Sequence, residues 1–117
     1  MKETDLKIRT KQFALRVIRV YLALLKRGAT EVLGKQLPRS GTSVGAHYRE
    51  AQRAKSTADF ISKIEGALQE LDESQYWLEL LIDSETLPAR KLAPLIAECK
   101  ELLAIFVRIA KSAKQQI

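Results

Sequence analysis

Residues 92–113 read LAPLIAECKELLAIFVRIAKSA. Leu92, Leu95, Ile96, Cys99, Leu102, Leu103, Phe106, Ile109 and Ala113 each meet an apolar partner three or four positions on. That spacing lines them along one face of an α-helix. Working upstream, Leu87-Pro88 marks a turn, with Pro88 near a first helical position. Before it, Ser56-Thr57-Ala58-Asp59 has the form of a capping box with Asp in place of Glu. It opens a third helix striped by Phe60, Ile64, Ala67, Leu68, Leu71, Gln75, Leu78 and Ile82. A first helix carries Phe13, Val17, Val20, Tyr21 and Leu24 and ends at Lys26-Arg27-Gly28, a basic last turn followed by glycine. A second, from about Thr30 to about Lys55, carries Leu33, Leu37, Ser40, Val44, Tyr48 and Ala51. No alternating β-branched run suggests a strand. Four amphipathic helices with short connections predict an all-α, up-down-up-down bundle, with residues 1–117 as one domain.

The second helix conflicts with local propensity. Ser40-Gly41-Thr42-Ser43-Val44-Gly45-Ala46 is poor helix sequence, and Pro38 stands one turn before it. The apolar stripe nevertheless keeps its phase from Leu33 to Ala51. The expectation is a kinked helix, with a plain loop as the alternative. Small side chains in this run would let another backbone approach closely.

Composition narrows the function. Apolar residues make up 46% of the chain and aromatic residues 6%, enough for an aliphatic core and too much for disorder. No run approaches the roughly 18 uncharged apolar residues of a membrane span. The opening MKETDLKIRTK lacks the apolar stretch of a signal peptide. The expected location is therefore cytoplasmic. His47 and Cys99 are the one histidine and the one cysteine. They cannot build a histidine-rich di-metal site or a zinc site between them. No serine lies in a nucleophile elbow and no Gly-rich phosphate loop occurs. The reading is a non-enzyme without metal or cofactor.

Lys and Arg number 20 against 14 Asp and Glu, a net charge of +6. The distribution is uneven. Residues 1–28 carry +6, residues 29–57 carry +3, residues 58–87 carry −7 and residues 88–117 carry +4. At about 100° per residue, Lys35, Arg39, Thr42, Ala46, Arg49 and Arg53 share one stripe of helix two, opposite its apolar side. A phosphate backbone could follow such a stripe, because small residues separate the cations. Arg16 and Arg19 add to it from the polar side of helix one. The alternative is a solvated face, or a partner for the acidic stripe Glu65, Asp72, Glu79 and Asp83 of helix three.

Helix one is apolar nearly all round from Phe13 to Leu25, which exceeds what one buried stripe requires. A subunit interface through Leu15, Ile18 and Leu22 accounts for the excess. Tyr76, Trp77 and Leu80, off the main stripe of helix three, form a second candidate patch. Cys99 belongs to the core, and His47 sits at the inner edge of helix two.

Residues 34–51, GKQLPRSGTSVGAHYREA, with Asp59-Phe60-Ile61-Ser62-Lys63-Ile64 and Glu70-Leu71-Asp72-Glu73-Ser74-Gln75-Tyr76-Trp77-Leu78, resemble the bacterial four-helix-bundle family encoded in 23S ribosomal RNA intervening sequences. The likeness runs over roughly residues 6–110. It implies a homopentamer. The chain is also similar to accessory proteins of diversity-generating retroelements, which implies nucleic acid and a reverse transcriptase as partners. By this resemblance Arg39, Arg49 and Glu50 match the family's basic and acidic positions on helix two. His47 stands where Asn is usual, and Pro38 where an apolar residue is commoner.

Together these readings give an oligomeric nucleic-acid-binding protein, RNA favoured over DNA, without sequence readout. Arg39, Arg49 and Arg53 would contact phosphates, assisted by Lys35, Arg16 and Arg19. One rival is a scaffold oligomer whose cations form subunit salt bridges. The other is an enzyme using Glu50, His47 and Arg49.

Overall fold

The computed structural model describes residues 3–26 and 35–116, as four α-helices and no strand among them. They are α1 (Glu3–Lys26), α2 (Gln36–Gln52), α3 (Thr57–Asp83) and α4 (Ala89–Lys114). Thr30, Leu33, Arg27 and Gly28, invoked above for the end of the first helix and the start of the second, lie outside the described residues.

Neighbouring helices run antiparallel. Thr10 and Val17 of α1 face Gly45 and Gly41 of α2. Arg39 and His47 of α2 meet Glu73 and Glu70 of α3. Cys99 of α4 donates to the Leu71 carbonyl of α3 at 3.2 Å, and Arg9 of α1 pairs with Glu98 of α4. The result is an up-down-up-down bundle with extents of 48 × 22 × 21 Å, in which α2 and α3 pack most extensively and α1 and α4 least.

The core is aliphatic with few rings. Phe13, Val17 and Leu24 of α1, Leu37 and Val44 of α2, Ile64, Leu71 and Leu78 of α3, and Leu92, Leu102 and Phe106 of α4 are fully or almost fully buried. Tyr48 meets Phe106 edge-on, with ring centroids 5.7 Å apart. The α3 stripe is displaced by part of a turn from the one expected. Ile61, Ser74 and Leu81 are buried, whereas Phe60, Leu68, Gln75 and Ile82 are only half-buried.

Local hydrogen bonds explain where α3 begins and ends. Ser56 accepts from the Asp59 N–H at 3.0 Å, and Asp59 accepts from the Lys55 N–H at 3.1 Å. These side chains satisfy amide donors that the first turn leaves without helical partners. At the other end of α3, Glu85 takes a positive φ of 60°, where the Thr86 and Leu87 amides turn back onto the Leu81 carbonyl.

Helix two departs from expectation at Pro38. The helix starts at Gln36, so Pro38 lies in its first turn, where an amide has no helical acceptor to lose. No kink is needed, and the helix runs unbroken through Ser40–Ala46. Its hydroxyls are absorbed locally: Thr42 donates to the Pro38 carbonyl at 2.6 Å and Ser43 to the Arg39 carbonyl at 2.6 Å.

Candidate nucleic-acid interface

The two sides of α2 face different neighbours. On the side toward α1 the glycines set the distance. A Cβ added at Gly41 would lie 2.8 Å from both Cγ atoms of Val17, and one at Gly45 would lie 3.2 Å from Thr10 Oγ1. Only glycine permits this approach without displacement. Thr10 fits the tight crossing because its hydroxyl donates back to the Leu6 carbonyl at 2.8 Å. The close approach leaves a shallow groove of about 270 Å³, lined by Thr10, Lys11, Ala14, Thr42, Gly45, Ala46 and Arg49. Two cations flank a floor of small side chains, and no carboxylate lines it.

On the side toward α3, Arg39 and His47 stand among carboxylates. Arg39 lies 2.5 Å from Glu73 and 3.5 Å from Glu70. Gln36 accepts a further bond from Arg39 Nε at 3.2 Å. Ser40 and Ser74, both buried, share a hydrogen bond of 2.8 Å. His47 Nδ1 stands 3.2 Å from Glu50 Oε1, and His47 Nε2 stands 4.0 Å from Glu70 Oε2.

The stripe read from one helical wheel therefore divides between two neighbours. Arg39 leans to α3 and Arg49 to α1, while Arg53 and Lys35 are exposed. Arg19 is exposed on α1 and Arg16 is half-buried. Arg16 follows Arg9 by seven positions, two helical turns, so it lies on the α4 side of α1 and away from the groove. Lys11, and not Arg16, lines the groove from α1. A wheel drawn for α2 alone misses Lys11, because it says nothing about which α1 residue lies opposite. The Gly41–Gly45 spacing is the signal that could have found it, since it marks the face of closest approach.

Within the chain, the acidic residues that meet α2 are Glu70 and Glu73 rather than Glu65, Asp72, Glu79 and Asp83. Glu65 instead pairs with Lys114 at 2.7 Å. The trio Glu50, His47 and Arg49 is not assembled, because His47 and Glu50 sit on the α3 side while Arg49 lines the α1 groove.

The Arg9–Glu98 pair closes the thin α1–α4 seam through two hydrogen bonds, of 2.6 and 3.0 Å. The hydrogen bond to Glu98 raises the Arg9 pKa further above its usual value, against the opposing effect of burial. Burial pushes the Cys99 thiol up to about 12. It remains a protonated core side chain, as its place on the apolar stripe suggests. Among the described residues, no group of His, Cys, Asp and Glu is arranged to hold a metal ion. No described helix is long and apolar enough to cross a membrane.

Helix one keeps an uncovered apolar face. Leu15 and Leu22 are 42% and 50% exposed, and Ile8 and Leu25 extend the same stripe. Ile18 is half-buried beside them. On α3, Tyr76 is exposed and lies 5.2 Å from the Trp77 ring. Trp77 itself packs against the core, and Leu80 is half-buried.

Residues 2–108 match the family model of the 23S rRNA-intervening sequence proteins. The chain belongs to this family. Its fold is similar to the solved structure of a protein of unknown function from the S23 ribosomal protein family of Bacteroides thetaiotaomicron VPI-5482. The two share 39% identity with a TM-score of 0.90, over 95% of this chain and 99% of the other. No curated protein matches the chain. Neither the family nor the structural neighbour bears an enzyme's name.

Proposed function

We propose that this 23S rRNA-intervening sequence protein binds RNA through phosphate contacts along the α1-facing and outer sides of α2. Lys11, Arg49 and Arg53 are the principal contacts, and Lys35 and Arg19 extend the field. The observation that carries this reading is the α1–α2 groove, whose two flanking cations make no ion pair among the described residues. An uncompensated cation pair over a small-residue floor suits a polyanion backbone, which brings affinity without base readout. The family's description, which names an rRNA intervening sequence, favours RNA over DNA. In this proposal Arg39, held by Glu70 and Glu73, is a reserve cation and Arg16 a peripheral one.

Self-association completes the proposal. The exposed Ile8, Leu15, Leu22 and Leu25 stripe is the surface through which copies of the chain assemble, a pentamer by family resemblance. Tyr76 is the candidate contact on α3. Several copies would multiply one modest groove into a strong field. A reverse transcriptase stays a partner by resemblance alone. The scaffold reading draws on the same apolar stripe, and it predicts an oligomer with no affinity for RNA.

The test is fluorescence anisotropy of a labelled single-stranded RNA with the full chain at low salt. Changing Lys11, Arg49 and Arg53 together to Glu is expected to weaken binding by about 100-fold or more, because three cations leave the phosphate path and three anions enter it. Unchanged helicity by circular dichroism would show the loss to be local. Unchanged affinity would overturn the groove assignment, and no binding by the unaltered chain would favour the scaffold.

A further inference from the structure

The end of the bundle formed by the start of α1, the α2–α3 connection and the end of α4 holds a second, larger concavity. Its volume is about 840 Å³, within the roughly 300–1,000 Å³ usual for small-molecule sites. Leu6, Ala51, Ile105 and Ala113 are buried in its floor, and Phe60 and Ile109 line it half-buried. The rim carries Lys55 and Arg108, both exposed, with the amides of Gln52 and Gln116 and the hydroxyls of Ser56, Thr57 and Ser112. Among the described residues, no carboxylate lines it. Among the described residues, no ion pair engages the Lys55 ammonium or the Arg108 guanidinium.

Its position relates it to the phosphate path. Arg49, Arg53 and Lys55 follow one another from the α1–α2 groove to the pocket mouth, and Gln52 and Ala54 between them line it. A strand held by Arg49 and Arg53 is thereby led to an apolar recess with an aromatic wall. We infer that this pocket accepts one unpaired base of a single-stranded nucleic acid, with Lys55 and Arg108 on its flanking phosphates. The inference rests on the RNA-binding reading above.

Three features select a nucleotide among anionic ligands. Phe60 offers a ring on which a base of any identity can stack. The amides and hydroxyls can hydrogen-bond base edges, for which a purely hydrocarbon ligand has no use. The two cations stand at the rim over an apolar floor, matching a ligand with a charged backbone and a flat, weakly polar body. A base locked in a duplex cannot enter, so the pocket makes the protein a single-strand binder.

The experiment compares two labelled probes of equal length and charge: an oligouridylate and an abasic ribose-phosphate oligomer. Equal charge cancels the phosphate contribution. The full chain is expected to bind the oligouridylate about tenfold more tightly, the scale of one base–aromatic stack. Phe60→Leu, which keeps the apolar volume at this half-buried site, is expected to abolish that difference while abasic binding stays unchanged. Arg108→Gln, on an exposed helical position, is expected to weaken both probes. Equal binding of the two probes by the unaltered chain would overturn the pocket and leave the phosphate reading standing. A probe difference that survives Phe60→Leu would also overturn the pocket. Failure of both probes to bind would overturn both readings.

Discussion

Helix two touches α1 and α3 by opposite means. Toward α1 the packing is close, made possible by Gly41 and Gly45, and among the described residues the cations beside it make no ion pair. Toward α3 it is polar: a buried serine pair, and an arginine and a histidine set among carboxylates. One helix thus presents equivalent-looking arginines in unlike states. Arg39 is compensated and Arg49 is available, and the difference comes from the charge of the neighbouring helix. Residues 1–28 carry +6, whereas residues 58–87 carry −7.

The two seams should respond differently to an added methyl group. Gly41→Ala places a Cβ against Val17, a buried, β-branched side chain with little freedom to turn. Overpacking of this kind costs about 1–3 kcal/mol, set against about 1 kcal/mol gained in helix propensity. A net loss of up to about 2 kcal/mol is expected from denaturant titration. The nearest atoms to a Cβ added by Gly66→Ala belong to the His47 ring, at 3.0 Å, a side chain that is partly exposed. With a smaller packing cost and the same gain in helix propensity, it should be neutral or stabilising by up to about 1 kcal/mol. Equal losses would erase the contrast between a rigid and a yielding seam.

The serine pair sharpens it further. Ser40→Ala alone leaves the buried Ser74 hydroxyl without its cross-helix partner and is expected to cost about 1 kcal/mol. Ser40→Ala with Ser74→Ala removes both groups, and should cost little more than the single change. The double-mutant cycle measures the coupling directly.

A smaller effect concerns Arg39. Changing Glu70 and Glu73 together to Gln removes the carboxylates that hold it and should strengthen RNA binding about threefold, as one more cation becomes free to meet a phosphate. Weaker binding would mean that α3 positions Arg39 for RNA rather than withholding it.

The bundle is legible in the sequence because periodicity reports burial directly. The stripes of α1 and α4, the Ser56 cap and the core place of Cys99 all follow from spacing. What spacing cannot give is adjacency. Ser74 is buried because Ser40 lies opposite, a fact visible only once α2 and α3 are docked. Pro38 suggests a kink only in a helix interior, and it lies in the first turn of α2, which starts at Gln36. The basic stripe reads as continuous because a wheel treats all azimuths outside the core as solvent. It is divided between neighbours, and Lys11 enters the groove from another helix.

The most direct test of the account is the salt dependence of RNA binding. The slope of log K against log salt has a magnitude of about 0.7 for each single-strand phosphate that the protein neutralises. Arg49→Gln is expected to lower that magnitude by about 0.7, and Arg39→Gln to leave it unchanged. Equal slopes for the two variants, or a change confined to Arg39→Gln, would contradict the division of helix two between a compensated and an available face.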